Sequence, residues 1–371
     1  MDVEEQIIES AKNGEVERLR ALLDQHPDKL HLKVPPYEAS LLFPAAQSGS
    51  VAAVEALLAR GLDVNYREKG DNTYAMHWVA AQGNLTMVQR LADAGGDVIG
   101  EGDDHMGGVI GWASCWDGCD DDAHRQVVDF LISRGARHHI FSAVAMNLAD
   151  EVRRIIAADP STLNQRQSRN ENNRTPLHFA VAMNRPQMVE LLLSLGADPL
   201  SVDGGGMPVA VYASNLEIDR PVMTKIREMT LAEIESAARG RRPLNVGAMD
   251  LVAAAVLRDW DLASRIVAAN RQLIDKGGAL HLLTKRGDTV AVEWLLKQGA
   301  NPNVRWAHWD SDVTALHLAV MQNRIDIARL LLNAGADPRI RDTKHEGDAI
   351  NWAVFFKREE LFALLSSWNP S

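Results

Sequence analysis

The chain has 371 residues, of which 46% are hydrophobic and 24% charged, and its 50 acidic and 39 basic side chains leave a formal charge of -11. That length exceeds what one compact core usually fills, so the chain either divides or grows by repetition. The acidic balance argues against a nucleic-acid binder, which needs a concentrated basic face.

The N-terminus, MDVEEQIIES, is acidic and has no long apolar run, so it does not read as a secretory signal. No stretch approaches the roughly 18 apolar residues of a membrane helix. Two cysteines, Cys115 and Cys119, are few for an oxidising compartment. The expectation is a cytoplasmic protein that does not enter a membrane.

In chain order, short helix pairs are expected near 4–34, 36–68, 71–102, 105–138, 140–164, 172–202, 204–229, 248–275, 277–303, 312–338 and 345–366. The frame is clearest where Thr175-Pro176-Leu177-His178-Phe179-Ala180 leads to Gly196, 18 positions after His178. The same interval joins His77 to Gly95, His281 to Gly299 and His317 to Gly335, and Phe43 to Gly61 repeats it with Phe in the His place. Within each frame a first helix carries small residues, such as Ala45-Ala46, Ala80-Ala81 and Ala319. A break follows at Gly49, Gly83, Asn184, Gly287 or Asn323. A second helix then carries an apolar pair, such as Leu57-Leu58 or Leu330-Leu331. The closing Gly suits a left-handed helix stop. No pair has core enough to stand alone, so each must bury its face on the next.

These residues resemble ankyrin repeats, whose signature is T-P-L-H-x-A at a period of about 33 residues. Thr175 to Ala180 matches it fully, and Thr314 to Ala319 matches with Ala315 for Pro. The stretches 135–141 and 347–353 look like bacterial ankyrin-repeat proteins in particular. The resemblance implies an all-α solenoid of about ten to eleven helix pairs with short connecting fingers. It also implies that His77, His178, His281 and His317 are structural, each tying its turn to the neighbouring repeat.

Three places depart from the frame. In the fourth repeat about six extra residues fall within 115–122, and from 101 to 122 there are seven acids and no Lys or Arg. Around 203–247, Gly204-Gly205-Gly206 loosens a repeat and Pro221 is expected to break its second helix, with a polar helix over about 231–239. This suggests an N-terminal stack 1–229, an irregular helix and kink 230–247, and a C-terminal stack 248–371. The third is a long finger, Arg305-Trp306-Ala307-His308-Trp309-Asp310-Ser311-Asp312.

In the family, the two residues before each break face the concave groove. Here they include Trp116, Met183, Met321, Phe355 and Phe356, and with Trp306 and Trp309 of the finger they make the candidate binding surface. Asp103, Asp104, His105, Cys115, Cys119 and His124 are of types that suit zinc, but they lack tight Cys spacing, and an acidic loop is more often solvated. No metal or cofactor is expected. Candidates for acid–base chemistry are His308 with Asp310 and His105 with Asp104, beside an aromatic wall.

The leading functional reading is a protein–protein interaction module, its groove preferring a partner with a basic segment. The alternative is an enzyme, a hydrolase, lyase or cyclase, acting on a small organic molecule in an aromatic His/Asp-lined pocket.

Overall fold

The computed structural model describes residues 2–116, 118–213, 216–240, 244–308 and 310–368. The chain forms two compact units, Met1–Leu191 and Leu192–Ser371. The first holds α1 (Val3–Lys12), α2 (Val16–Gln25), α3 (Leu42–Gln47), α4 (Val51–Leu58), α5 (Ala75–Ala81), α6 (Leu85–Asp93), α7 (Gly108–Trp112), α8 (Asp122–Ser133), α9 (Ile140–Ala145), α10 (Ala149–Ala158) and α11 (Pro176–Ala182). The boundary falls inside α12 (Pro186–Ser194). The second unit holds a 3-10 turn (Val209–Tyr212), α13 (Leu216–Ala238), α14 (Ala248–Val256), α15 (Trp260–Ala269), α16 (Ala279–Arg286), α17 (Thr289–Lys297), α18 (Ala315–Met321), α19 (Ile325–Asn333), α20 (Ala349–Phe355) and α21 (Glu359–Ser367). Among the described residues this makes eleven pairs, one of them led by the 3-10 turn.

The inner helices of the first unit pack in series, α1 on α3, α3 on α5, α5 on α7, α7 on α9 and α9 on α11. In the second unit α14, α16, α18 and α20 do the same. Close stacking needs small residues at the contact, and Ala45, Ala46, Ala80, Ala143, Ala180 and Ala319 are fully buried there. Most inner helices, α7 excepted, are followed by a left-handed residue that turns the chain: Gly14, Gly49, Gly83, Asn147, Asn184, Gly287 and Asn323 hold positive φ. Arg258 and Lys357 do the same without a glycine's freedom. For Arg258 the compensation is visible, since its guanidinium grips both oxygens of Asp288 at 2.8 and 2.9 Å.

Three of the frame histidines, His77, His281 and His317, act as the resemblance implied. The ring of His317 bonds Thr314 Oγ1 through Nδ1 at 2.8 Å, and its Nε2–H donates to the Gly347 carbonyl of the next repeat at 3.1 Å. His77 reaches Gly100 in the same way at 3.0 Å, and His281 reaches Val304 and Val313. Burial lowers the pKa of His77 and His317, and brings His281 down to about 4.

Pro221 does not break its helix. α13 runs unbroken through it for 23 residues and absorbs the polar helix expected at 231–239. At the sixth residue a proline removes one hydrogen bond to the first turn, a local loss that burial of Val222 and Ile226 outweighs. The finger 305–314 is a β-hairpin, β1 (Arg305–His308) antiparallel to β2 (Ser311–Thr314), with Trp306 opposite Val313 and His308 opposite Ser311.

Candidate functional site

Four of the fingers are organised by an acid that turns inward. Glu68, Asp103, Asp203 and Asp342 are all buried. Asp103 accepts from the backbone N–H of Gly108 at 2.7 Å and from Trp112 Nε1 at 3.2 Å. Asp342 accepts from His345 N at 2.7 Å, Gly347 N at 3.0 Å and Trp352 Nε1 at 3.0 Å. Burial opposes ionisation of each, but these donors win and hold both carboxyls below the usual range. Asp103, expected in a solvated loop or as a metal ligand, is therefore a structural group with its lone pairs taken by its own finger.

In the first unit, His105 lies between two acids. Its Nδ1 meets Glu171 Oε1 at 2.5 Å and its Nε2 meets Asp71 Oδ1 at 3.3 Å. Its ring stands edge-on to Trp112 and Trp116, with centroids 5.4 and 5.1 Å apart. Burial alone would lower its pKa, but Glu171 first and Asp71 second raise it. Asp104 is not its partner. That side chain is exposed, and its residue touches the sixth repeat's finger only through the backbone, from Asn170 Nδ2 at 3.5 Å. The fifth repeat has no finger of its own, because His138 and His139 lead straight into α9, so the fourth and sixth fingers meet across it. Around Trp116 a space of about 40 Å³ remains, where Trp116 Nε1 and Gln167 Oε1 find no hydrogen-bond partner among the described residues. It has room for ordered water.

The cysteines offer no nucleophile. Burial pushes the Cys115 thiol up to about 12, and Cys119 is buried against the Ala81 carbonyl. His124 spends its nitrogens on Asp121 and the Ala81 carbonyl, at 2.6 and 3.1 Å. Met183 caps α11, half-buried. Part of the acidic run, Asp117, lies outside the described residues.

The second unit gathers more of the expected residues. A pocket of about 500 Å³ is lined by His308, Asp310, Met321, Phe355 and Phe356, together with Trp352. His345, Asn351 and Ser311 complete its polar side. Phe355 is 78% exposed although it closes an inner helix. Trp306 serves differently. Its ring stacks near His308, 6.4 Å between centroids, tilts on His281, and lies over Gly206 and Gly278. It wedges the hairpin onto the stack and is absent from the pocket wall. Trp309 lies outside the described residues. The carboxylate of Asp310 pairs with Lys344, so the expected His308–Asp310 couple is not formed. Burial first, then the charge of Lys285, lower His308 to about 4. Sequence reasoning left Trp352 out of the binding surface; the recurrence of an inward acid ahead of a Trp, Asp103 to Trp112 and Asp342 to Trp352, was the available signal.

Helix pairs with left-handed breaks, fingers and a Thr–His tie define an ankyrin-repeat solenoid. Family models agree in three places: ankyrin repeats (3 copies) over 251–342, a single ankyrin repeat over 172–204 and ankyrin repeats (many copies) over 42–92. The chain is an ankyrin-repeat protein. It is 25% identical over 211 residues to the mouse B-cell lymphoma 3 protein homolog, covering 55% of this chain and 45% of that protein. It is 27% identical over 207 residues to the mouse NF-kappa-B inhibitor delta, covering 48% of this chain and 62% of that one. The matches thus span roughly half of these relatives' own lengths. The human ASB11 ankyrin repeat domain aligns at 19% identity and a TM-score of 0.41, over 59% of this chain and 96% of that one. No helix among the described residues is long and apolar enough to cross a membrane.

Proposed function

We propose that this protein is a binding module that holds a partner protein, and that its anchor point is the pocket between the last two inner helices of the second unit. The observation that carries this reading is Phe355, 78% exposed at the mouth of a cavity of about 500 Å³. A large aromatic left in water beside an apolar hollow marks a recognition surface. Ankyrin repeats are in general protein–protein interaction modules, and one relative bears the name of an inhibitor of NF-kappa-B. The basic segment expected of a partner rests on the acid-rich 101–122 connection, and the bacterial likeness on two short stretches alone.

The enzymatic alternative loses its chemical pair, since Asp310 is held by Lys344 and an imidazole near 4 is a weak base at neutral pH. The test is selection of displayed random peptides on the full chain beside a Phe355→Ser, Phe356→Ser variant. Wild type should enrich sequences with a large apolar anchor, and the variant should not. Enrichment of the same sequences by both would remove the pocket from the reading.

A further inference from the structure

Lys285, Met321 and Phe355 hold one register position in successive inner helices, each four residues past His281, His317 and Asn351. α16 packs on α18 and α18 on α20. Met321 and Phe355 line the pocket, so Lys285 stands one repeat further along the same face. Its charge reaches the pocket wall, because it helps depress His308.

This lysine has no direct ion pair among the described residues, and only Asp203 acts on it, at longer range. Among the described lysines only Lys29 and Lys285 are not fully exposed, and Lys29 pairs with Glu4 at 2.6 Å. Lys285 makes no hydrogen bond or ion pair among the described residues. The nearest acid acting on it, Asp203, is committed to Gly205 N at 2.7 Å, Met207 N at 2.9 Å and Tyr212 Oη at 2.5 Å. Arg286 is taken up by the Val211 carbonyl and by Asp288. On the pocket side Asp310 is neutralised by Lys344, and Asp312 alternates to the other face of the hairpin from Ser311. A half-buried ammonium without a direct ion pair favours an incoming anion.

We propose that this face takes an extended partner segment in which an acidic residue lies about four positions from a large apolar one, the acid meeting Lys285 and the apolar side chain entering the pocket beside Met321 and Phe355. Helix axes in such stacks are about 8–10 Å apart. The pocket centre, between Met321 and Phe355, is then about one and a half repeats from Lys285. An extended chain rising about 3.3 Å per residue covers that in about four residues. The inference rests on the pocket being a docking site, and its charge sign is opposite to the basic segment expected from the first unit's acidic connection.

The test is fluorescence anisotropy on the full chain with labelled peptides Glu-x-x-x-Phe and Phe-x-x-x-Glu, their Gln and Lys counterparts, and versions with Ala for Phe. In at least one direction the Glu peptide should bind about 5-fold more tightly than the Lys peptide, as expected for about 1 kcal/mol of partly buried charge pairing. Lys285→Glu should reverse that order, and Lys285→Met, which keeps the stem packing, should abolish it. Equal affinity for Glu and Lys, or a preference for Lys, with dependence on Phe retained, overturns the acid subsite and leaves the pocket standing. Loss of all dependence on Phe overturns both.

Discussion

Trp352 and Asp342 are joined by a hydrogen bond of 3.0 Å from the indole N–H to the carboxylate, and that bond ties an inner helix to its own finger. Asp342 also takes the amides of Lys344, His345 and Gly347 and the hydroxyl of Ser311 in the hairpin. Replacing it with Asn turns an amide NH₂ toward donors that need an acceptor. Asp342→Asn should destabilise the protein by about 2–3 kcal/mol in urea unfolding and weaken anchor-dependent peptide binding, because Gly347, His345 and Trp352 lose their fixed places. Trp352→Phe removes one donor and should cost about 1 kcal/mol. Unchanged unfolding midpoints in Asp342→Asn would mean the finger stands without its acid.

His105 should titrate above an ordinary histidine. Its folded pKa is raised, so its contribution to stability is fully present below the unfolded value of about 6.5 and disappears as pH rises through the folded value. Glu171→Gln should therefore destabilise the first unit more at pH 6 than at pH 8, and lower the His105 pKa read by NMR. Equal losses at the two pH values would show that the pair acts by shape alone.

The second unit should weaken in mild acid. His281 and His308 are depressed to about 4, so between that pH and about 6.5 the unfolded chain binds protons that the native chain does not. Each such group should remove about 1.4 kcal/mol per pH unit as pH falls through that window. Urea midpoints at pH 7.5, 6 and 5 read this directly, and His308→Gln should flatten the trend. A midpoint independent of pH over that range would contradict the buried neutral imidazoles.

Gly278 has φ +78° and the indole of Trp306 fills the place where a Cβ would stand. Gly278→Ala should lose about 2–3 kcal/mol, combining left-handed strain with displacement of the wedge. Trp306 fluorescence is masked by other tryptophans, so the clean readout is the double variant with Trp306→Ala. If the clash dominates, the two losses will not add.

The repeat frame was legible because it rests on a recurring spacing: a His, then a Gly 18 positions on, with small residues before the break. What escaped was whatever the fingers create only when folded. Asp103 and Asp342 look like solvated loop acids until the turn brings amides around them. Arg258 and Lys357 carry no sign of left-handed backbone, and for Arg258 the ion pair that compensates is 30 residues away. Pro221 reads as a stop where it removes only one early hydrogen bond. The pocket residues Met321, Phe355 and Phe356 were found because register places them before a break, whereas Trp306 looked like a binding group and proves to be a wedge.

The bond from His105 to Glu171 skips the fifth helix pair, spanning 66 residues where most contacts in a stack join adjacent repeats. A solenoid held only by neighbours can unzip from either end, one repeat at a time. Here the fourth pair cannot leave without breaking its bond to the sixth, and the fifth lies between them. Pairs four to six should open as a single event, so their amides should share one exchange free energy while those of the first pair exchange earlier.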